Sequence, residues 1–184
     1  ALSLGVVIGI GSVSTFAYWT DDAVISGTTF SSGTLDLRVN GVDSYATTTL
    51  SMTAMVPGAT SAEVLTLRNN GTVPLKYTMT GGLGGANAAD YGNAAALRLT
   101  VVSGGTRTGS GNSATCTGGT TIVNAVPLTA TIATPIIGTR RGPLAAGATE
   151  ALCFQVTFSS TAPSTLQGKT ASASFTISGT SNVS

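Results

Sequence analysis

Two cysteines, Cys116 and Cys153, are the most reactive side chains in this sequence, which contains no histidine. A structural zinc ion needs about four ligands, so two cysteines without histidine make a poor metal site. The pair therefore favours a disulfide, with two separate buried thiols as the alternative. A bridge would close a loop of about forty residues and stabilise the fold by about 3–4 kcal/mol. It also predicts a location outside the reducing cytosol.

The acidic residues are scattered, and no spacing among them suggests the carboxylate pair used in acid–base catalysis. The seven acids are Asp21, Asp22, Asp36, Asp43, Glu63, Asp90 and Glu150. Because histidine is absent, the His-Glu-x-x-His zinc motif and the common serine and cysteine triads are absent as well. We therefore predict that the protein is not an enzyme. We expect no catalytic, metal-binding or cofactor-binding residues.

Three other motifs have a structural interpretation that we prefer to a binding role. The Thr-Asp-Asp sequence at residues 20–22 lacks the spacing of a calcium loop and is interpreted as a solvated turn. The glycines of residues 81–85 have neither a P-loop lysine nor a following helix, which favours a hairpin loop over a phosphate site. Arg140 and Arg141 are interpreted as part of a solvated loop.

The composition excludes several classes of partner. Only 8% of the residues are charged and the formal net charge is +1, whereas about 25% charged residues is usual. Such a chain has no electrostatic footprint for nucleic acid or an anionic membrane. A neutral surface favours self-association, because nothing repels the next copy. We expect no nucleic acid and no small-molecule substrate.

Five runs alternate apolar and polar residues with the period of two that marks a half-buried β-strand. They are GTLDLRVN, VPLKYTMT, ALRLTVV, ALCFQVTF and TASASFTI. Such alternation is typical of antiparallel sheets. With further candidates, it predicts eight or nine strands spaced as in a β-sandwich.

The segments between these runs contain turn residues. Asn-Asn-Gly-Thr at residues 69–72 predicts a short hairpin. Residues 81–92 predict a flexible loop with room for one helical turn. Residues 103–119 predict a long Gly/Ser/Thr loop, which the disulfide at Cys116 would hold in place.

The N-terminal stretch ALSLGVVIGIG has its apolar residues on one side of an extended strand. The even-numbered residues are Leu2, Leu4, Val6, Ile8 and Ile10. A secretion signal cleaved near Ala17 and a membrane segment are alternatives, although a membrane span needs about 20 apolar residues. A retained strand would pair within its own domain or with another copy. We favour donation of this strand to another copy.

Three segments of the sequence resemble the TasA/camelysin family of secreted fibre proteins. The most specific is FAYWTDDAVISGTTFSSGTLDLRVNG, residues 16–41, with an aromatic-x-Thr-Asp motif and a Gly-Thr-Leu-Asp-Leu run. Residues 56–80 resemble the family's Pro-Gly turn and following strands, and residues 144–177 its C-terminal strand pair. The resemblance to the bacterial relatives implies cleavage near the position of Ala17 or Tyr18. This position lies downstream of the donor strand that we infer.

The resemblance implies a secreted, jelly-roll-like sandwich that polymerises into biofilm-matrix fibres by strand donation, with kinship to archaeal bundling pili. We therefore expect an all-β, antiparallel jelly-roll-like β-sandwich at residues 16–184 and an N-terminal donor strand at residues 1–15. The expected protein is an extracellular homopolymer at the cell surface or in the biofilm matrix, built head to tail, with possible lateral bundling and membrane contact only during secretion. The alternative is a monomeric or membrane-tethered adhesin or peptidase-like surface domain.

Overall fold

The computed structural model describes residues 20–24, 35–43 and 55–181. The predicted donor strand and its boundary with the domain at residue 16 lie outside these residues. The described strands are β1 Thr20–Val24, β2 Leu37–Val39, β3 Thr60–Asn69, β4 Leu75–Gly84, β5 Leu97–Ser103, β6 Thr106–Thr108, β7 Thr115–Thr117, β8 Thr120–Pro127, β9 Thr134–Leu144, β10 Thr149–Phe158 and β11 Ser172–Ser181. The described helices are α1 Ala88–Asn93 and a short 3-10 helix, Ser164–Leu166.

Two antiparallel sheets face each other. The front sheet has the strand order β1-β11-β4-β9, and the back sheet has the order β2-β3-β10-β5-β8. Strands β6 and β7 form a separate two-stranded sheet. Neighbours in the front and back sheets come from distant parts of the chain, so their pairing depends on the closed core rather than on local hairpins.

The alternating runs form the core, as the sequence predicts. Their apolar positions are buried on both facing sheets, as at Leu37, Tyr77 and Leu99. The rings of Phe154 in β10 and Phe175 in β11 lie 5.6 Å apart and join the two layers. The predicted all-β antiparallel sandwich is confirmed.

The hairpin predicted at residues 69–72 is wrong, because β3 and β4 lie in different sheets. The segment crosses from the back sheet to the front sheet. The buried side chain of Asn69 holds this crossover: its Nδ2 donates to Val73 O at 2.8 Å and to Leu144 O at 3.0 Å, and its Oδ1 accepts from Gly71 N. A buried amide with these partners specifies the corner, which the Asn-Gly pattern alone cannot distinguish from a hairpin.

The glycine loop predicted at residues 81–92 is also partly wrong. Its first four residues extend β4, and α1 supplies the helical turn that the sequence allowed. Gly82 is needed in the strand because a Cβ there would overlap the carbonyl oxygen of Thr131. The glycines therefore admit a crossing backbone segment and do not form a loop.

Three further segments contain strands where the sequence indicated turns or loops. Residues 20–22 lie in β1, paired with β11. Arg140 and Arg141 lie in β9, paired with β4. Residues 103–119, predicted as a loop, contain the β6–β7 pair, and the Sγ atoms of Cys116 and Cys153 are bonded as the sequence favours.

Candidate assembly surface

Three of the described acids form close ion pairs with basic side chains, and a fourth, Asp43, lies 3.5 Å from the Arg38 that pairs with Asp36. Asp36 pairs with Arg38 at 3.0 Å, Asp90 with Lys169 at 3.0 Å, and Glu150 with Arg141 at 2.7 Å. Within residues 35–43 and 55–181, no group of three or more His, Cys, Asp or Glu side chains is placed to hold a metal ion. These acids therefore act as partners of cations.

Glu150 is the centre of a polar cluster that joins the two sheets. Its Oε1 accepts from Ser103 Oγ at 2.6 Å and from the Arg141 guanidinium at 2.7 Å, and its Oε2 accepts from Tyr77 Oη at 2.7 Å. Tyr77 and Arg141 come from the front sheet, whereas Ser103 and Glu150 come from the back sheet. We call these four residues the Glu150 cluster.

The electrostatics of the Glu150 cluster favour an ionised carboxylate. Burial opposes ionisation, but the hydrogen bonds from Ser103, Tyr77 and Arg141 outweigh it and lower the pKa of Glu150 below its usual value. Burial and the neighbouring carboxylate raise the pKa of the Tyr77 phenol. Both oxygens of this carboxylate already accept hydrogen bonds, so it links the two sheets and is a poor general base. Sequence reasoning missed the cluster because its members are separated by up to 73 residues.

The β8–β9 side of the sandwich is poorly suited to accept another strand. Strand β9 contains Pro135 and Pro143 and shifts register three times against β4. Strand β8 shifts register twice against β5, and its Ala125 has a φ of 47°. Prolines and bulges of this kind protect sheet edges from strand addition.

In the described strands of the opposite, β1–β2 side there are no prolines and no register shifts. Strand β1 pairs with β11 only from Thr176 to Thr180, and β2 pairs with β3 only from Leu67 to Asn69. Both short strands lie at the same end of the sandwich. Towards the first residues of β11, no described strand lies on its outer side, and at the start of β3 the outer side has a single parallel bridge, between Thr60 and Ser113.

A cavity of about 690 Å³ opens at this end of β3 and β11. Its described wall is mainly apolar, with the rings of Tyr91 and Phe158 at 6.3 Å from each other. The apolar lining residues are Met55, Val56, Pro57, Tyr91, Phe158, Ala162, Pro163, Leu166 and Ala171. No local sequence pattern identifies the cavity, because its wall comes from three separate segments.

Polar contacts hold the rim of the cavity. Tyr91 Oη donates to Lys169 O at 2.9 Å, and Lys169 Nζ lies 3.0 Å from Asp90 Oδ2. These contacts tie α1 to the segment that precedes β11. The cavity thus has a fixed polar rim and an apolar interior.

The structure does not describe the residues predicted for the assembly site. Leu2, Leu4, Val6, Ile8 and Ile10 lie outside the described residues. Among residues 20–24, 35–43 and 55–181, a helix with the length and hydropathy of a membrane span does not occur.

The comparisons with known proteins concern the first part of the chain. A family model described as camelysin metallo-endopeptidase matches residues 1–82. A search of curated proteins found no match.

The described residues do not fit the metal ion that this description implies. The chain has no histidine, its two cysteines are bonded to each other, and three of its described acids are ion-paired with basic side chains. A zinc site takes its ligands from these residue types.

The match covers two of the three segments that carry the resemblance, and residues 144–177 lie outside it. It includes residues 16–41, with the Gly-Thr-Leu-Asp-Leu run, and the Pro-Gly turn with the strands that follow it at residues 56–80. Over residues 1–82 the chain carries the sequence signature of the TasA/camelysin family, which confirms the predicted resemblance.

Proposed function

We propose that this protein is the structural subunit of an extracellular filament. In this proposal, the N-terminal strand of one copy is added to the β1–β2 side of the next copy. The filament is a homopolymer of the biofilm matrix or cell surface, and the protein is a building block and not an enzyme.

The observation that carries the proposal is the difference between the two sides of the sandwich. The β8–β9 side has prolines and bulges that disfavour strand addition. On the β1–β2 side, the described strands cover one half, and the other half adjoins the apolar cavity. An added strand is therefore favoured on one side only.

The N-terminal segment has the properties of such a strand. Leu2, Leu4, Val6, Ile8 and Ile10 lie on one face of an extended chain, and nine residues extend about 30 Å. Burying five aliphatic side chains would contribute about 10 kcal/mol before entropy costs. The apolar face would turn towards the core and the cavity.

Strand donation from copy to copy generates a filament without further assumptions. A head-to-tail contact uses two different surfaces, and it produces an open polymer unless the rotation closes a ring. The net charge of +1 offers no repulsion between copies. The disulfide supports a location outside the cytosol.

The outer face of the front sheet supports lateral bundling. Residues that alternate with the buried Tyr77, Met79 and Ile177 point outwards, and they are mostly hydroxyl-bearing. They include Thr78, Thr80, Thr176, Ser178 and Thr180. A nearly uncharged hydroxyl surface permits filaments to lie side by side.

Deletion of residues 1–11 tests this proposal. We expect the full chain to form regular filaments in negative-stain images and the truncated chain to remain monomeric, with an unchanged β-sheet circular dichroism spectrum. Regular fibres from the truncated chain would overturn strand donation. A monomeric full chain with measurable peptidase activity would instead support the surface-domain alternative.

A further inference from the structure

A flap formed by residues 104–119 lies over the outer face of the back sheet. Its strands β6 and β7 pair over three residues each, and their side chains are exposed or half-buried. A two-stranded ribbon of this length is marginally stable in water by itself. Contacts with the sandwich must therefore hold the flap in place.

The disulfide is the strongest of these contacts. Ala114 of the flap is buried against Ala62 and Val102, beside Cys153 of β10. A buried methyl group stabilises by only about 1 kcal/mol. The bridge from Cys116 to Cys153 spans 37 residues, and a loop of this size corresponds to about 3–4 kcal/mol.

The flap also contacts the strand that begins at the cavity. Thr60 N donates to Asn112 O at 2.9 Å, and Thr60 forms a parallel bridge with Ser113. Thr60 directly follows the turn at residues 55–59. Three residues of this turn, Met55–Pro57, line the cavity.

The same turn is held from its other side by β10. Gly58 N donates to Phe158 O at 2.9 Å, and Phe158 N donates to Ala59 O at 2.8 Å. The cavity wall is thus held between β10, which carries Cys153, and the flap, which carries Cys116. The disulfide joins β10 to the flap, the two parts that hydrogen-bond to the cavity wall.

We propose that the Cys116–Cys153 disulfide completes the cavity wall, so that only the oxidised protein presents a rigid cavity to a neighbouring strand. Bond formation removes two protons and two electrons from the thiols and transfers them to an external disulfide, which becomes a dithiol. The chain would then become competent for assembly only outside the reducing cytosol. This consequence rests on the proposed function, whereas the coupling of flap and wall does not.

Hydrogen exchange on the Cys116→Ala/Cys153→Ala variant tests the coupling. We expect amide exchange at residues 104–119 and 55–60 to become at least about tenfold faster than in the oxidised wild-type protein. Amides of Leu99 and Phe154, in the centre of the back sheet, should keep their protection and report that the sandwich is folded. Unchanged exchange at residues 55–60 would overturn the proposal.

Reduction of the wild-type protein gives a second measurement that does not depend on refolding of a variant. After reduction, trypsin should cleave after Arg107 in the released flap faster than it does in the oxidised protein. Cleavage after Arg98 in β5 should be slower than after Arg107. Equal resistance at Arg107 before and after reduction would show that the flap holds without the bond and would overturn the proposal.

Filament formation separates this inference from the proposed function. Slower assembly of the double variant than of the oxidised wild-type protein supports the regulatory role, and equal rates contradict it. If the oxidised protein forms no filaments at all, the proposed function fails, while the exchange at residues 55–60 still decides the coupling.

Discussion

Glu150 connects the two sheets through hydrogen bonds that converge on one half-buried carboxylate. The side chain of Glu150 is 18% exposed and that of Arg141 is 35% exposed. Partial burial strengthens the ion pair relative to a surface pair, and the additional hydrogen bonds compensate the loss of water. The cluster should therefore contribute to stability, unlike the exposed ion pairs elsewhere.

The Glu150→Gln variant should lower the free energy of unfolding by about 1–2 kcal/mol. Glutamine keeps the size of the side chain but leaves the Arg141 guanidinium without its counter-charge. Urea denaturation measures the loss. Asp43→Asn is the control, because Asp43 is 41% exposed and lies 3.5 Å from Arg38, so its loss should be below about 0.5 kcal/mol.

The stability of the protein should fall in acid because of the same carboxylate. The pKa of Glu150 is lowered in the folded state from an ordinary value of 4.5, so its contribution is present above that pH and is lost as the pH falls below it. Urea midpoints measured between about pH 3 and 7 should show a smaller acid loss for Glu150→Gln than for the wild type. Parallel pH profiles would contradict this role.

Asp36, the acid of the Gly-Thr-Leu-Asp-Leu run, has a structural role. Leu35 and Leu37 on either side of it are buried in the core. The backbone carbonyl of Asp36 accepts from Asn70 N at 2.7 Å, and its Oδ2 accepts from Asn70 Nδ2 at 2.7 Å. The acid of the motif therefore fastens β2 to the crossover between the sheets.

The two ends of strand β4 differ in sequence and in what they contact. Its first half alternates Leu75, Tyr77 and Met79 into the core. Its last residues are glycine-rich, and the segment at residues 129–131 crosses them, with Leu83 N donating to Thr129 O at 2.7 Å. The crossing requires the absence of a side chain at one position of the strand.

Gly82→Ala should therefore destabilise the protein by about 1–3 kcal/mol, the usual cost of overpacking. The new methyl group would overlap Thr131 O, a backbone atom with little freedom to move. Gly84→Ala is a matched control in the same strand, since its Cβ would meet only Ser172 Oγ at 3.4 Å. Thermal unfolding of both variants checks the difference; equal losses would contradict it.

At the scale of the whole molecule, the two sides of the sandwich differ in how well they could accept an added strand. The β8–β9 side carries the Glu150 cluster nearby, and its edges are irregular. The β1–β2 side adjoins the cavity. In the proposed filament, this asymmetry would give each subunit one acceptor side, which a linear polymer requires.

A charge on the apolar face of the proposed donor strand should block assembly. In Ile8→Asp, an unpaired carboxylate would be buried in the acceptor, at a cost of several kcal/mol. Ser3→Asp places the same charge on the opposite face and should assemble nearly as well as the wild type. Sedimentation of filaments measures both, and equal pelleting of the two variants would contradict the inferred register.

The local alternation of side chains predicts the sandwich and the buried faces of its main strands, and short motifs carry the family resemblance. Both are properties of neighbouring residues. The cysteine count likewise favours the bond between Cys116 and Cys153. The crossover at Asn69, the strand at Gly82, the Glu150 cluster and the cavity depend on contacts between segments far apart in the chain. Such contacts exist only once two sheets close around a core, since packing and hydrogen bonding between distant residues then choose among conformations that the local sequence leaves open.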